Sequence, residues 1–121
     1  MKTFLLALLF LFGMVSSAQD SLEVSKLGNL PYNEIINDVW GYATPTKEYA
    51  LVGVNTGFSI VDVTAPTLPV EKHFIPGNNT VWRDIKTYSH YAYVVHDGVG
   101  GSRNSDGILI VDLNTIDSAN I

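Results

Sequence analysis

From Glu34 onward the chain alternates short apolar, β-branched runs with turn residues, and no stretch sustains a helical apolar period. That pattern predicts an all-β chain. Ile35 to Tyr42 is a first strand, closed by a turn at Thr44-Pro45-Thr46-Lys47 in which proline presets the backbone angle. Tyr49 to Val54 is apolar at successive positions, as in a strand buried on both faces. Asn55-Thr56-Gly57 reads as a three-residue hairpin loop with glycine at a position of positive φ, leading into Phe58 to Val63. Thr64 to Pro69 breaks the pattern with two prolines. Val70 to Ile75 is a more polar fourth strand, in which Glu71 and Lys72 suit a wet outer edge.

The same order then begins again. Asp38-Val39 is matched by Asp84-Ile85, Tyr42 by Tyr88, Tyr49-Ala50-Leu51-Val52 by Tyr91-Ala92-Tyr93-Val94, and Gly57 to Val63 by Gly107 to Leu113. The offsets are about 46, 42 and 50 residues, a drift set by loop length and close to the period of a four-stranded propeller blade. The expected architecture is therefore four-stranded antiparallel blades of a β-propeller. Blade 1 spans about 34–76 and an incomplete blade 2 about 80–121. A propeller closes with roughly four to eight blades, so two units form either a fragment of one or an open sandwich. The fragment is the preferred reading, because Asn114 to Ile121 stops where a connection to a fourth strand is due.

Ahead of the repeats lie two other segments. Lys2, the apolar run Phe4 to Val15 and the small residues Ser16-Ser17-Ala18 have the three zones of a secretory signal, so residues 1–18 are read as a cleavable leader ending at Ala18. The alternative, an uncleaved anchor, needs roughly 20 apolar residues to span a bilayer, and this run is shorter. Residues 19–33 are polar with scattered apolar positions and read as a linker or edge segment. An exported chain, secreted or on the cell surface, is thus expected.

Composition narrows the function classes. The apolar share of 46% and charged share of 16% are those of a folding globular chain, not a disordered one. A net charge of −5 with scattered Lys and Arg argues against nucleic acid as a partner. The absence of cysteine removes disulfides, thiolate metal sites and a cysteine nucleophile together.

Few residues suggest chemistry. Asp62 and Asp112 stand at equivalent strand ends, where Asx turns are the expected role. His73, His90 and His96 have no zinc spacing, so no metal, cofactor or catalytic set is assigned. His96-Asp97 opens a long loop, where a base oriented by a carboxylate is one reading and a polar loop anchor the other. In that loop Asn104-Ser105-Asp106-Gly107 is similar to the middle of a calcium loop, but Ser102 and Leu113 stand where carboxylates are needed. Trp40, Trp82 and Arg83 are residue types that dominate binding hot spots, although a repeated tryptophan also serves as packing between blades. Asn78-Asn79-Thr80 has the form of a glycosylation acceptor.

The second unit, from Trp82-Arg83-Asp84-Ile85-Lys86-Thr87-Tyr88 through Tyr91-Ala92-Tyr93-Val94-Val95 to Gly107-Ile108-Leu109-Ile110-Val111-Asp112-Leu113, resembles the LVIVD-repeat propellers of the choice-of-anchor B family. The first unit, with Asn37 to Tyr42 and Ser59 to Val63, resembles the opening blade of the same proteins. The resemblance implies an extracellular or surface propeller and no established reaction. The functional expectation is a binding or interaction module whose partner is an extracellular protein or glycan, with a secreted hydrolase using His96, Asp97 or Arg83 as the alternative. Strand order places Trp82, Arg83 and Asp84 on one rim with His96, Asp97, Arg103, Asn104 and Asp106, joined by Asp38, Trp40 and Asn55 to Gly57. These are the candidate ligand-binding residues.

Overall fold

The computed structural model describes residues 23–98 and 107–118. The leader assigned to residues 1–18 lies outside them, as do Arg103, Asn104 and Asp106 of the long loop. The protein is all-β, in two antiparallel sheets. Four strands make the first, β1 (Ile36–Ala43), β2 (Glu48–Val54), β3 (Gly57–Asp62) and β4 (Val70–Pro76), paired in chain order. The second holds β5 (Arg83–Tyr88), β6 (Tyr91–His96) and β7 (Leu109–Asp112), again in chain order, and a 3-10 turn at Leu113–Thr115 follows. Each expected strand is present within a residue or two of its expected ends.

The two sheets pack face to face. Tyr49, Leu51, Phe58 and Ile60 of the first meet Ile85, Ala92, Val94, Val111, Leu113 and Ile116 of the second in one buried cluster. At about 1.5–3 kcal/mol per large apolar side chain, this cluster is the main attachment between the sheets. The opposite face of the first sheet is also covered. Val52, Val54 and Val61 are buried beneath Leu30 and Tyr32 of the segment that precedes β1. The continuous apolar runs of β2 and β3 thus follow from burial on both sides. The Tyr32 hydroxyl lies 2.8 Å from Ser59 Oγ, which donates in turn to Glu71 Oε1 at 2.6 Å. Burial, foremost, pushes the Tyr32 hydroxyl above its ordinary pKa.

The hairpin at Asn55 differs from its expected form. Val54 pairs with Gly57, so the loop is the two residues Asn55-Thr56, and no positive φ occurs there. Gly57 is required for space instead, since a Cβ would meet the Ile75 carbonyl and Phe74 of β4. Among the described hairpin residues the left-handed one is Ser89, with φ 54°, in the Ser89-His90 turn between β5 and β6. One-residue bulges interrupt two ladders, at Asn37 in β1 and at Lys72 in β4. At the first, Asn37 Nδ2 donates to the carbonyl of Thr80, in the connection between the two sheets, at 3.1 Å.

Candidate functional site

One end of the two sheets gathers the start of β1, the Asn55-Thr56 turn, the connection from Gly77 to Trp82, and the end of β6. Arg83 pairs with His96 across β5 and β6, and Asp97 N–H reaches the Trp82 carbonyl at 3.4 Å. Trp82, Arg83, His96 and Asp97 therefore share one rim. The Asn55 turn joins them, because Thr80 N–H donates to the Asn55 carbonyl at 3.0 Å and Gly77 N–H to the Thr56 carbonyl at 2.9 Å.

Thr80 organises this rim. It is 7% exposed, and its hydroxyl donates to Asp97 Oδ1 while accepting the Trp82 N–H at 3.0 Å, with the Trp82 carbonyl 3.3 Å away. The glycosylation acceptor read at Asn78-Asn79-Thr80 is thus locked into the folded rim by its own threonine. Asn55 closes the other side, its Oδ1 accepting Ile35 N–H at 3.0 Å and its Nδ2 donating to Asn79 Oδ1 at 3.2 Å.

Arg83 is placed beneath the rim rather than on it. Only 3% exposed, it donates from Nε to the Val54 carbonyl at 3.0 Å and from Nη2 to the Asn78 carbonyl at 2.7 Å. Burial lowers its pKa from the ordinary guanidinium value. Its geometry is that of a staple holding the first sheet to the Gly77–Trp82 connection. Gly53 and Gly77 leave room for it, since a Cβ at either would press on the Arg83 side chain or backbone at 3.1 Å.

Asp38 and Trp40 also act between the sheets. Asp38 Oδ2 accepts the Ile85 N–H at 2.8 Å, and Oδ1 takes the N–H of Val39 at the same distance. Trp40 lies further along β1, away from the rim, where its indole N–H donates to Thr87 Oγ1 at 2.9 Å and the Lys86 ammonium sits 4.2 Å from its ring. Asp84 is exposed.

His96 and Asp97 are adjacent without forming a base and its orienting carboxylate. His96 Nδ1 accepts the Gly98 N–H at 3.1 Å, which puts the ring proton on Nε2, while Asp97 Oδ1 is taken by Thr80. Among the described residues no three His, Asp or Glu side chains converge on a metal position, and no helix is long and apolar enough to cross a membrane.

The rim exposes the polar residues Thr56, Asn79 and Asp97 and, beside them, two large apolar ones. Val81 and Trp82 stand 62% and 69% accessible between the buried residues Thr80 and Arg83. The opposite end of the sheets is ionic. Lys47 Nζ donates to Asp117 Oδ1 at 2.7 Å, Lys72 lies 3.6 Å from the same oxygen, and the Tyr49 hydroxyl donates to Oδ2 at 3.3 Å. The Lys47 hydrogen bond, foremost, holds the Asp117 carboxyl below the usual carboxylate range. Asp62 and Asp112 form the Asx turns expected of them, accepting from Thr64 N–H and Asn114 N–H at 3.0 Å each. An open cleft of about 370 Å³ between the segment before β1 and β4, lined by Tyr32, Glu34, Glu71 and Phe74, carried no signal in the sequence. Compared with family models, curated proteins and solved structures, the chain matches none.

Proposed function

We propose that the protein is an exported or cell-surface binding module built from β-propeller blades, and that it meets an extracellular protein or glycan at the rim carrying Trp82. The observation that supports this reading is the contrast within four residues, where Thr80 and Arg83 are buried and fixed while Val81 and Trp82 project between them. An aromatic side chain held out by a rigid turn loses little entropy on binding, which is the usual make-up of a hot spot. The resemblance of both units to the choice-of-anchor B propellers supports the same reading, as does the leader-like start of the chain.

A panel of extracellular glycans and surface proteins, screened against the exported chain, tests the proposal. A ligand met at the rim loses at least about 30-fold in affinity with Trp82→Ala, equivalent to about 2 kcal/mol. Retained binding in Trp82→Ala together with loss in Tyr88→Ala, at the other end of β5, contradicts it. The mass of the exported protein tests the leader, with Gln19 expected as the mature N-terminus.

A further inference from the structure

The bulge at Lys72 changes which side chains β4 turns toward the segment that precedes β1. Ser59 and Val61 of β3 face that segment, and their ladder partners on β4 are Phe74 and Glu71. Two residues back from Phe74, a regular strand would set Lys72 on this face. The extra residue sets Glu71 there instead, since a bulge re-aims the side chains that follow it. Lys72 belongs to the ionic cluster at the other end of the sheets, 3.6 Å from Asp117 Oδ1. A lysine is thus exchanged for a glutamate on the wall of the open cleft of about 370 Å³ that β4 forms with Leu30 to Glu34.

That glutamate is held in place. Its Oε1 accepts the hydroxyl of the fully buried Ser59 at 2.6 Å, and Ser59 Oγ lies 2.8 Å from the Tyr32 hydroxyl, so one serine joins the carboxylate to the phenol ring. Among the described residues Glu71 Oε2 has no hydrogen-bond partner. Glu34 adds a second carboxylate to the lining, and among the described residues neither glutamate has a cation within ion-pair distance. Burial raises the Tyr32 pKa most, and the charges of Glu71 and Glu34 add to the rise, as expected of two carboxylates close to its hydroxyl. Phe74, 39% exposed, supplies a second ring. We propose that this cleft binds the guanidinium of an arginine side chain carried by a partner protein, with Glu71 Oε2 and the Glu34 carboxylate as acceptors and the Tyr32 and Phe74 rings as its apolar walls. Two carboxylates without a counter-ion set the sign of the ligand. Two aromatic rings favour a flat, weakly hydrated cation over an ammonium. The cleft opens to solvent, which suits a side chain reaching in from a larger molecule. It lies on the face of the first sheet turned away from the second, and the inference does not rest on a ligand at Trp82.

The test is a nuclear magnetic resonance titration of the protein with a short glycine peptide bearing one central arginine, and with the same peptide bearing neutral citrulline. Saturable shifts at the Tyr32, Glu71 and Phe74 amides are expected with the arginine peptide and not with the citrulline one. Glu71→Gln, whose amide oxygen still accepts from Ser59, is expected to weaken binding about tenfold, the effect of one charge-assisted hydrogen bond. Glu34→Gln is expected to weaken it about threefold, as for an exposed ion pair, and to leave the urea midpoint unchanged because the side chain is exposed. Asp84→Asn, which removes an exposed carboxylate elsewhere, and Trp82→Ala are expected to leave the affinity as it was, which separates this cleft from general attraction to an acidic chain and from the rim. No saturable binding overturns the proposal. So do shifts centred away from the cleft, equal binding of the citrulline peptide, or an affinity indifferent to both glutamate substitutions.

Discussion

Arg83 shows how a residue type associated with ligand recognition is used in this molecule. Its guanidinium satisfies two backbone carbonyls, Val54 and Asn78, that belong to different segments. Methionine in its place keeps the aliphatic stem and removes both donors, leaving the two carbonyls short of partners. Arg83→Met is expected to destabilise the protein by about 3 kcal/mol, with each lost bond to a charged donor worth about 1.5–3 kcal/mol. Urea unfolding measures this, and an unchanged midpoint would remove Arg83 from the list of structural staples. That it lies at the same end of the sheets as His96 and Asp97 is legible in the sequence from strand order, since Trp82-Arg83 opens a strand whose partner ends at His96-Asp97. Its burial is not, because that depends on the glycines at 53 and 77, which lie on other elements and admit the side chain only once the sheets are stacked.

At the scale of strands and turns, alternation and turn residues located every strand, because each apolar run is bounded by proline, glycine or a polar pair. Turn geometry was less legible. The hairpin pattern predicts a left-handed Gly57, yet its role is to admit β4 closely, a requirement set by a strand that pairs with it 19 residues later at Pro76. The left-handed position falls instead on Ser89, with φ 54°. A non-glycine residue there bears roughly 1–2 kcal/mol of strain, partly offset in the Gly variant by its larger unfolded-state entropy. Ser89→Gly is therefore expected to raise stability by up to about 1 kcal/mol, read as a higher thermal midpoint. A lower midpoint would mean that the Ser89 hydroxyl, 3.1 Å from His90 Nδ1, contributes more than the backbone strain removes.

For the whole molecule, the two ends of the sheets have different chemistry and respond differently to pH. Asp117 draws Lys47, Lys72 and the Tyr49 hydroxyl together, and Asp62 accepts from Thr64. Both carboxyls titrate below their ordinary range, Asp117 through its Lys47 hydrogen bond and Asp62 through Thr64. A depressed folded pKa means that their contribution is complete above the unfolded value, about 3.9, and is lost as pH falls through the folded values. Urea midpoints are expected to hold from neutral pH down to about 4.5 and then fall, and Asp117→Asn to weaken that acid dependence. A midpoint that rises on acidification would reverse the assignment.

The relation between the two units is the central claim, and the sequence alone shows it as a repeat of residues, Asp38-Val39 matched by Asp84-Ile85 and Tyr49 to Val52 by Tyr91 to Val94. What the repeat alone did not reveal is that Asp38 belongs to the contact itself, joining the first strand of one unit to that of the next. The most direct measurement is hydrogen exchange at the Ile85 amide, which points away from β6, the one strand paired with β5 among the described residues, and is held by Asp38 Oδ2 at 2.8 Å. Slow exchange in the parent chain that becomes at least about tenfold faster in Asp38→Ala, with the Val94 amide inside the sheet unchanged, is the expected result. Rapid exchange at Ile85 in the parent chain, or exchange indifferent to Asp38→Ala, would contradict the joining of the two units through this aspartate.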